Sequence, residues 1–213
     1  GIALREFLVL VLPPFVPQID PNACGVLDLA TLTIPDTITA EVSADEWMWK
    51  AGLDFAPNDK LLWYFTISQG FKTGGFNGAN LNTVQQLGPY DLEELLAFEV
   101  GFKATLFDEA MQLNLAMFRY DYENKQERGQ AVTPVGIISG LVNIPESKIF
   151  GVEGDLMWYP TENLMVSGSF AFLDTEITDY DAVLNGSTLG NIITQDASGL
   201  RLPNAPEWSG NIG

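Results

Sequence analysis

An antiparallel β-barrel whose strands cross a membrane is the fold class this sequence predicts, and three observations predict it. Three very short turns recur roughly fifty residues apart, with long polar excursions between them. They are Pro57-Asn58-Asp59-Lys60, Phe107-Asp108-Glu109-Ala110 and Pro160-Thr161-Glu162-Asn163. The runs they join alternate apolar and polar, and some are long. Met111 to about Arg128 and Leu164 to about Thr178 exceed the five or six residues of an ordinary soluble strand. Finally, one face of each run is bulky and aromatic, and the other carries small residues and full charges. Tight turns at one end, long loops at the other and strands of about ten residues are the pattern of a transmembrane barrel.

The elements follow in order from Ser43. Seven strands are expected, at about 45–56, 60–70, 95–107, 111–128, 143–159, 164–178 and 204–213. In the first, Trp47, Trp49, Ala51, Leu53 and Phe55 oppose Met48, Lys50, Gly52 and Asp54. In the second, Leu61, Trp63, Phe65 and Ile67 oppose Leu62, Tyr64, Thr66 and Ser68. In the third, Leu96, Phe98, Val100, Phe102, Ala104 and Leu106 oppose Ala97, Glu99, Gly101, Lys103 and Thr105. Met111, Leu113 and Leu115 begin the fourth. Phe150, Val152, Leu156 and Trp158 mark the fifth, and Leu164, Val166, Phe170 and Phe172 the sixth. A period of two is the strand period, because successive side chains point to opposite faces. Around Met117 to Tyr122 the apolar parity switches to Phe118, Tyr120 and Tyr122. A bulge, or a strand leaving the bilayer into an aromatic belt, explains the switch equally well. Phe55, Trp63 and Trp158 fall near tight turns, where a membrane–water interface favours aromatics. Long connections are expected at about 71–94, 129–142 and 179–203, which hold turn formers such as Gly74-Gly75, Gly88-Pro89 and Asn185-Gly186.

Residues 1–43 are an irregular N-terminal segment left without assignment, and 44–213 are a partial barrel. Prolines at 13, 14, 17, 21 and 35 break the first segment, although Thr31–Ile34 and Thr37–Val42 have strand character. Phe7 to Val16 is only a loose match to a signal-peptide core, and no run of eighteen apolar residues suggests a transmembrane helix. The chain begins without methionine and stops in what reads as mid-strand, so a fragment is expected.

Composition narrows function. The 28 acidic and 10 basic residues give a net charge of −18, against nucleic acid or anionic lipid held through a basic patch. There is no histidine, which removes Ser-His-Asp and Cys-His catalysis and histidine-ligated zinc or haem as internal options. Cys24 is alone, so no intrachain disulfide is possible. No catalytic residues, metal ligands or cofactors are expected. Gly70, Gly74, Gly75 and Gly78 lack the Gly-Lys-Ser/Thr and helix of a phosphate cradle. Asp174, Glu176, Asp179 and Asp181 lack EF-hand spacing and read as a solvated acidic loop before a calcium site. Glu93 and Glu94 are adjacent, which points their carboxylates apart on a strand and disfavours paired acid–base work. Asn185-Gly186-Ser187 fits a glycosylation sequon that matters only in a eukaryotic secretory pathway. Glu99, Lys103, Glu153 and Asp155 belong in a wet lumen, since a lysine at the lipid midplane costs about 2–4 kcal/mol. Lys103 is expected to pair with a lumenal carboxylate across a strand.

Certain words carry a resemblance. Ser68-Gln69-Gly70-Phe71-Lys72-Thr73-Gly74-Gly75-Phe76-Asn77 resembles the S-x-G-F-K-x-G-G-F-N segment of TonB-dependent outer-membrane receptors. Phe98 to Asp108 resembles that family's Y-E-L-G-x-K-x-x-L-F-D. Ala116 to Tyr122 followed by Gln126, then Asn143 with Gly151-Val152-Glu153-Gly154, and finally Leu202-Pro203-Asn204-Ala205-Pro206 resemble its later strands. The five words come in the family's order and cover roughly residues 45–213. The resemblance implies part of a large 22-stranded plugged barrel in the bacterial outer membrane. It also implies capture of a scarce ligand, commonly a ferric siderophore, and partnership with lipid and with the TonB complex through a plug domain. No plug or TonB-contacting segment is recognisable in this chain, so active transport belongs to a parent protein.

Ligand contacts are expected from the three long connections, with Phe71, Lys72, Phe76 and Tyr90 as candidates. The competing functions are a passive porin or small barrel, a barrel enzyme, and a soluble cell-surface sandwich. An upstream plug separates a receptor from a porin, turnover of lipid or peptide reveals an enzyme, and a soluble monomer reveals the sandwich.

Overall fold

The protein is represented by a computed structural model that describes residues 28, 38–77, 88–133, 136–183 and 193–213, with the side chains of 131–138 left aside. Eleven strands are described: β1 (Trp49–Asn58), β2 (Leu61–Lys72), β3 (Gly75–Phe76), β4 (Pro89–Tyr90), β5 (Glu93–Leu106), β6 (Met111–Thr133), β7 (Gly136–Thr161), β8 (Leu164–Asp179), β9 (Asp181–Val183), β10 (Thr194–Asp196) and β11 (Trp208–Ile212). Seven form one sheet in the order β1-β2-β5-β6-β7-β8-β11, each pair antiparallel. The remaining four form two-stranded ribbons, β3 with β4 and β9 with β10. The sheet is an up-and-down meander whose two edges, β1 and β11, have no neighbour among the described residues.

The seven expected strands are all present, and register explains why they cohere. Leu53, Phe65, Val100, Met117, Val152, Phe172 and Trp208 stand directly opposite one another in succession, giving one apolar row across the whole sheet. Trp63 packs on Phe102 with ring centroids 5.0 Å apart, and Phe172 on Trp208 at 4.8 Å. Opposed pairs of this kind contribute about 0.2–1 kcal/mol each. The alternate face carries Leu62, Lys103, Asn114, Asp155, Ser169 and Asn211 in the neighbouring register. A one-residue slip on any strand would exchange these faces, so the two patterns fix register together.

The rows are staggered. Leu61, the first paired residue of β2, stands opposite Ala104, but β5 continues to Leu106 and β7 beyond Trp158 to Thr161. Each tight turn therefore steps further down the sheet. The opposite boundary is uneven: the apolar face persists through Leu96 on β5 and Phe150 on β7 but becomes Arg119 on β6 and Asp174 on β8. A progressive stagger is what strands tilted in a barrel require.

The structure resolves the parity switch after Met117. Residues 111–123 of β6 pair with β7 in unbroken register, so no bulge intervenes. Phe118 and Tyr120 stay on the polar-face parity and stack at 4.7 Å, with the Phe118 ring lying in the space left by Gly151. The outward positions simply turn polar at Arg119 and Asp121.

Three expectations need correction. The 129–142 segment is not a loop: Gly129 pairs with Gly140 and Thr133 with Gly136, so β6 and β7 form a ladder 23 and 26 residues long. Ala131-Val132 and Ile137-Ile138 retain strand propensity there, and their pairing outweighs the Gly and Pro punctuation. Residues 38–42 carry no strand, so the Thr37–Val42 expectation fails over its described part; Thr31–Ile34 lies outside the described residues. The last strand begins at Trp208 rather than 204, because Pro203 and Pro206 lack N–H donors and Asn204 is left-handed with φ 57°.

Residues 201–206 instead form an excursion on the edge of β8. Leu173 N–H donates to Glu207 C=O at 2.9 Å and Ile177 N–H to Leu200 C=O at 2.8 Å, so six residues oppose three. The excursion tucks Leu202 against Ile144 and Ile177, and the Leu202 N–H donates to Thr175 Oγ1 at 3.0 Å. This is the one cluster of fully buried apolar side chains among the described residues.

Candidate functional site

Opposite the tight turns, the ends of β2, β5, β6 and β7 converge with the first and last residues of the β2–β5 connection. Gln126 and Asn143 organise this region. They are direct cross-strand partners on β6 and β7. Gln126 is 6% exposed. Its Nε2 donates to Thr73 C=O at 2.9 Å and Asp91 C=O at 3.1 Å, with a longer contact to Lys72 C=O at 3.4 Å. Its main-chain N–H donates to Glu93 Oε2 at 2.7 Å. Asn143 accepts from Asp91 N–H at 2.7 Å and donates to Asp91 C=O at 3.1 Å and Asn124 C=O at 2.7 Å. A primary amide offers two donors and one acceptor oxygen, so these two side chains are well used.

A third amide extends the contact. Asn77 Oδ1 accepts from Leu141 N–H at 2.9 Å, and its Nδ2 donates to Leu141 C=O at 3.2 Å. One side chain thus satisfies both main-chain groups, as one residue of an added strand would. It fits because Gly140 has no side chain: a Cβ there would meet Asn77 Oδ1 at 2.7 Å.

The four candidate ligand residues lie along the same connection. Phe71 and Lys72 end β2, opposite Glu94 and Glu93. Lys72 is exposed and Phe71 half-buried. Phe76 is in β3 opposite Pro89, and Tyr90 in β4 opposite Gly75. The Tyr90 ring lies over Gly75, whose Cβ position is 2.5 Å from the hydroxyl oxygen. The fold therefore brings all four to one end of the sheet, with Tyr90 also serving to pack the loop. Gln126, Asn143 and Asn77 had no role assigned from sequence. Their signal was three amides within the matched words, but Asp91, the partner of Gln126 and Asn143, and Leu141, the partner of Asn77, lie in none of them.

Below this end, the polar face encloses a concavity of about 660 Å³ whose lining includes Tyr64, Lys103, Asn114, Glu153, Asp155 and Ser169. Lys103 does not form the expected ion pair. Asn114 stands between Lys103 and Asp155 in register and takes the carboxylate itself, Nδ2 to Oδ2 at 2.9 Å. Strands lie about 4.8 Å apart, so the carboxylate two strands away is out of reach of a short contact. Ion pairs among the described residues lie elsewhere: Lys60–Asp108 at 3.6 Å, Arg119–Asp121 at 3.0 Å and Arg201–Glu207 at 3.2 Å.

The adjacent β8–β11 connection carries two perturbed groups. Burial raises the Tyr180 hydroxyl above its ordinary range. Asp196 is lowered by the Ser198 hydroxyl and then by the Ser198 N–H, which donates to its Oδ1 at 2.8 Å. Glu93 and Glu94 do point apart, to Gln126 N–H and to Gln69 Nε2 respectively. Asp174, Glu176, Asp179 and Asp181 spread over β8 and β9, and no group of three or more acidic, Cys or His side chains converges among the described residues.

A meander with one apolar face, one polar and charged face, short turns at one end and amide-braced connections at the other defines a section of an antiparallel membrane-type barrel. Residues 28–213 match the family described as TonB dependent receptor-like, beta-barrel. The chain belongs to that family. It is 26% identical over 181 residues to the probable TonB-dependent siderophore receptor PiuA of Acinetobacter baumannii, covering 82% of this chain and 23% of that protein. Its fold is similar to the ferric yersiniabactin uptake receptor FyuA from Yersinia pestis, with a TM-score of 0.54, 18% identity, and 78% of this chain matched to 22% of that one. The ferric-catecholate import receptor Fiu of E. coli K12 gives a TM-score of 0.54 at 17% identity over 91% of this chain and 26% of its own. The chain thus spans about a quarter of the relatives it matches, and the sheet is part of a barrel, not a closed one.

Proposed function

We propose that this chain is part of the barrel wall of an outer-membrane receptor that captures a ferric siderophore or similar scarce ligand and admits it with energy from TonB. In this reading residues 44–213 supply the wall, 1–43 precede it, and the plug and further strands belong to the parent protein. The apolar row crossing all seven strands carries the reading. On β5 its parity runs from Leu96 to Leu106. Ten steps of about 3.3 Å, tilted by about 40°, give a band near the 25 Å height of outer-membrane barrels. Lipid would solvate that face, and the concavity with Lys103, Glu153 and Asp155 would face the lumen. Phe71, Lys72, Phe76 and Tyr90 then stand at the extracellular mouth, where a cation and aromatic faces suit an anionic, aromatic-bearing ferric chelate.

Two measurements test this. Spin labels at Phe98 and Phe170 in the intact protein are expected to be relaxed by oxygen and shielded from a water-soluble nickel chelate; the reverse accessibility removes the membrane assignment. Uptake of radio-iron from a siderophore panel is expected to require the parent gene and to stop when the proton-motive force is collapsed. Uptake that continues under collapse identifies a passive porin-like channel instead.

A further inference from the structure

Asn124 is left-handed, with φ 51°, in the middle of β6. Pro145 of β7 stands across from it, between the paired residues Glu123–Glu146 and Lys125–Ile144, and has no N–H to donate. The ladder is thus interrupted at one level, beyond the end of the apolar face at Met117. Asn143 bridges the interruption by donating to the Asn124 C=O at 2.7 Å. The same side chain holds both main-chain groups of Asp91, and its cross-strand partner Gln126 holds Asp91 and Thr73. Asn77 fixes the connection again at Leu141, beyond the interruption.

We propose that the Asn124/Pro145 interruption is a joint in the β6–β7 hairpin, and that Gln126 and Asn143 lock it to residues 72–77 and 88–92. The hairpin above the joint and both ends of the β2–β5 connection form one unit. Gln126 and Asn143 are positioning residues: they act on Phe71, Lys72, Phe76 and Tyr90 through the backbone of Thr73 and Asp91. Single-stranded connections anchored only at their strand ends would sample many orientations, and ordering them at the moment of capture would weaken binding. The lock supplies that order beforehand. Its relevance to ligand capture rests on the receptor reading; the mechanical coupling does not.

The test uses the full parent protein assembled in outer-membrane vesicles, with spin labels at the exposed positions Pro89 and Ser139. Without ligand, the wild-type pair is expected to give one narrow distance distribution. Gln126→Met keeps the volume and removes the donors; Asn143→Ala removes the opposing amide. Each is expected to widen the distribution at least twofold, while heat-modifiable gel mobility reports an assembled barrel. Should either variant fail to assemble, hydrogen exchange at Asp91 N–H in the other is expected to rise at least tenfold. An unchanged distribution, or unchanged exchange, in an assembled variant overturns the lock. Siderophore affinity is measured separately. Widening with at least a fivefold loss of affinity supports the positioning role, and widening with unchanged affinity overturns that role while leaving the joint. A parent that binds no siderophore at all removes the receptor reading and leaves the distance result standing.

Discussion

Phe107, Asp108 and Glu109 have φ of 53°, 51° and 74°, three successive non-glycine residues in the left-handed region. Each costs roughly 1 kcal/mol where a glycine would cost none. The turn persists because β5 and β6 pair to its limit at Leu106–Met111, and Ala110 N–H donates to Phe107 C=O at 3.1 Å. Glu109→Gly is therefore expected to hold or raise stability by up to about 0.5 kcal/mol, after the entropy glycine returns to the unfolded chain. Glu109→Val is expected to lower it by about 1–2 kcal/mol. Urea titration of the protein in lipid vesicles measures both. Asp196 makes a second prediction at this scale. Its folded carboxyl is lowered by Ser198, so the contribution is present above the ordinary carboxylate range and is lost as pH falls through the lowered value. Protection of the Ala197 to Gly199 amides, taken relative to the unstructured exchange rate at each pH, is expected to fall on acidification below that range, and Asp196→Asn is expected to abolish this change in protection.

Among elements, the glycines of the polar face decide how closely strands can carry aromatics. At Gly101 a Cβ would meet Leu115 C=O at 2.6 Å and Tyr64 Oη at 2.6 Å. The backbone partner cannot swing away, so Gly101→Val is expected to destabilise by about 1–3 kcal/mol through overpacking. Gly70 has open space around it, and Gly70→Ala is expected to be close to neutral in the same unfolding assay. The β6–β7 ladder shows the limit of reading elements from sequence. Gly129, Pro134, Gly136 and Gly140 look like loop punctuation, yet the backbone on both sides of 134–135 remains paired. Alternation told the strands from the turns wherever one face was apolar and the other polar. It was silent beyond Arg128, where no alternation is sustained and only pairing distinguishes strand from loop.

For the whole molecule, the apolar face is the property on which function depends. Val100→Lys near the middle of that face is expected to cost about 2–4 kcal/mol in vesicles if lipid covers it. Ala171→Lys, on the polar parity of β8, is expected to cost far less, because a wetted lumen solvates the charge. Equal costs at the two positions would mean that the faces are not solvated differently. Two edges, β1 and β11, with no neighbour among the described residues, also make a demand: an open strand edge invites further pairing. Strands of the parent barrel are the natural partners in the receptor reading.

The amino-acid sequence by itself determined the strand period, the assignment of side chains to two faces, the three tight turns and the family words, because these depend on neighbours two to ten residues apart. Tertiary structure alone decided that Gln126 meets Thr73, 53 positions away, and that Asn143 meets Asp91, 52 positions away. It also decided that Asn114, not Lys103, takes the Asp155 carboxylate. A polar side chain carries no mark of which distant backbone group it will satisfy. That choice is made by strand register and stagger, which exist only once the sheet has formed.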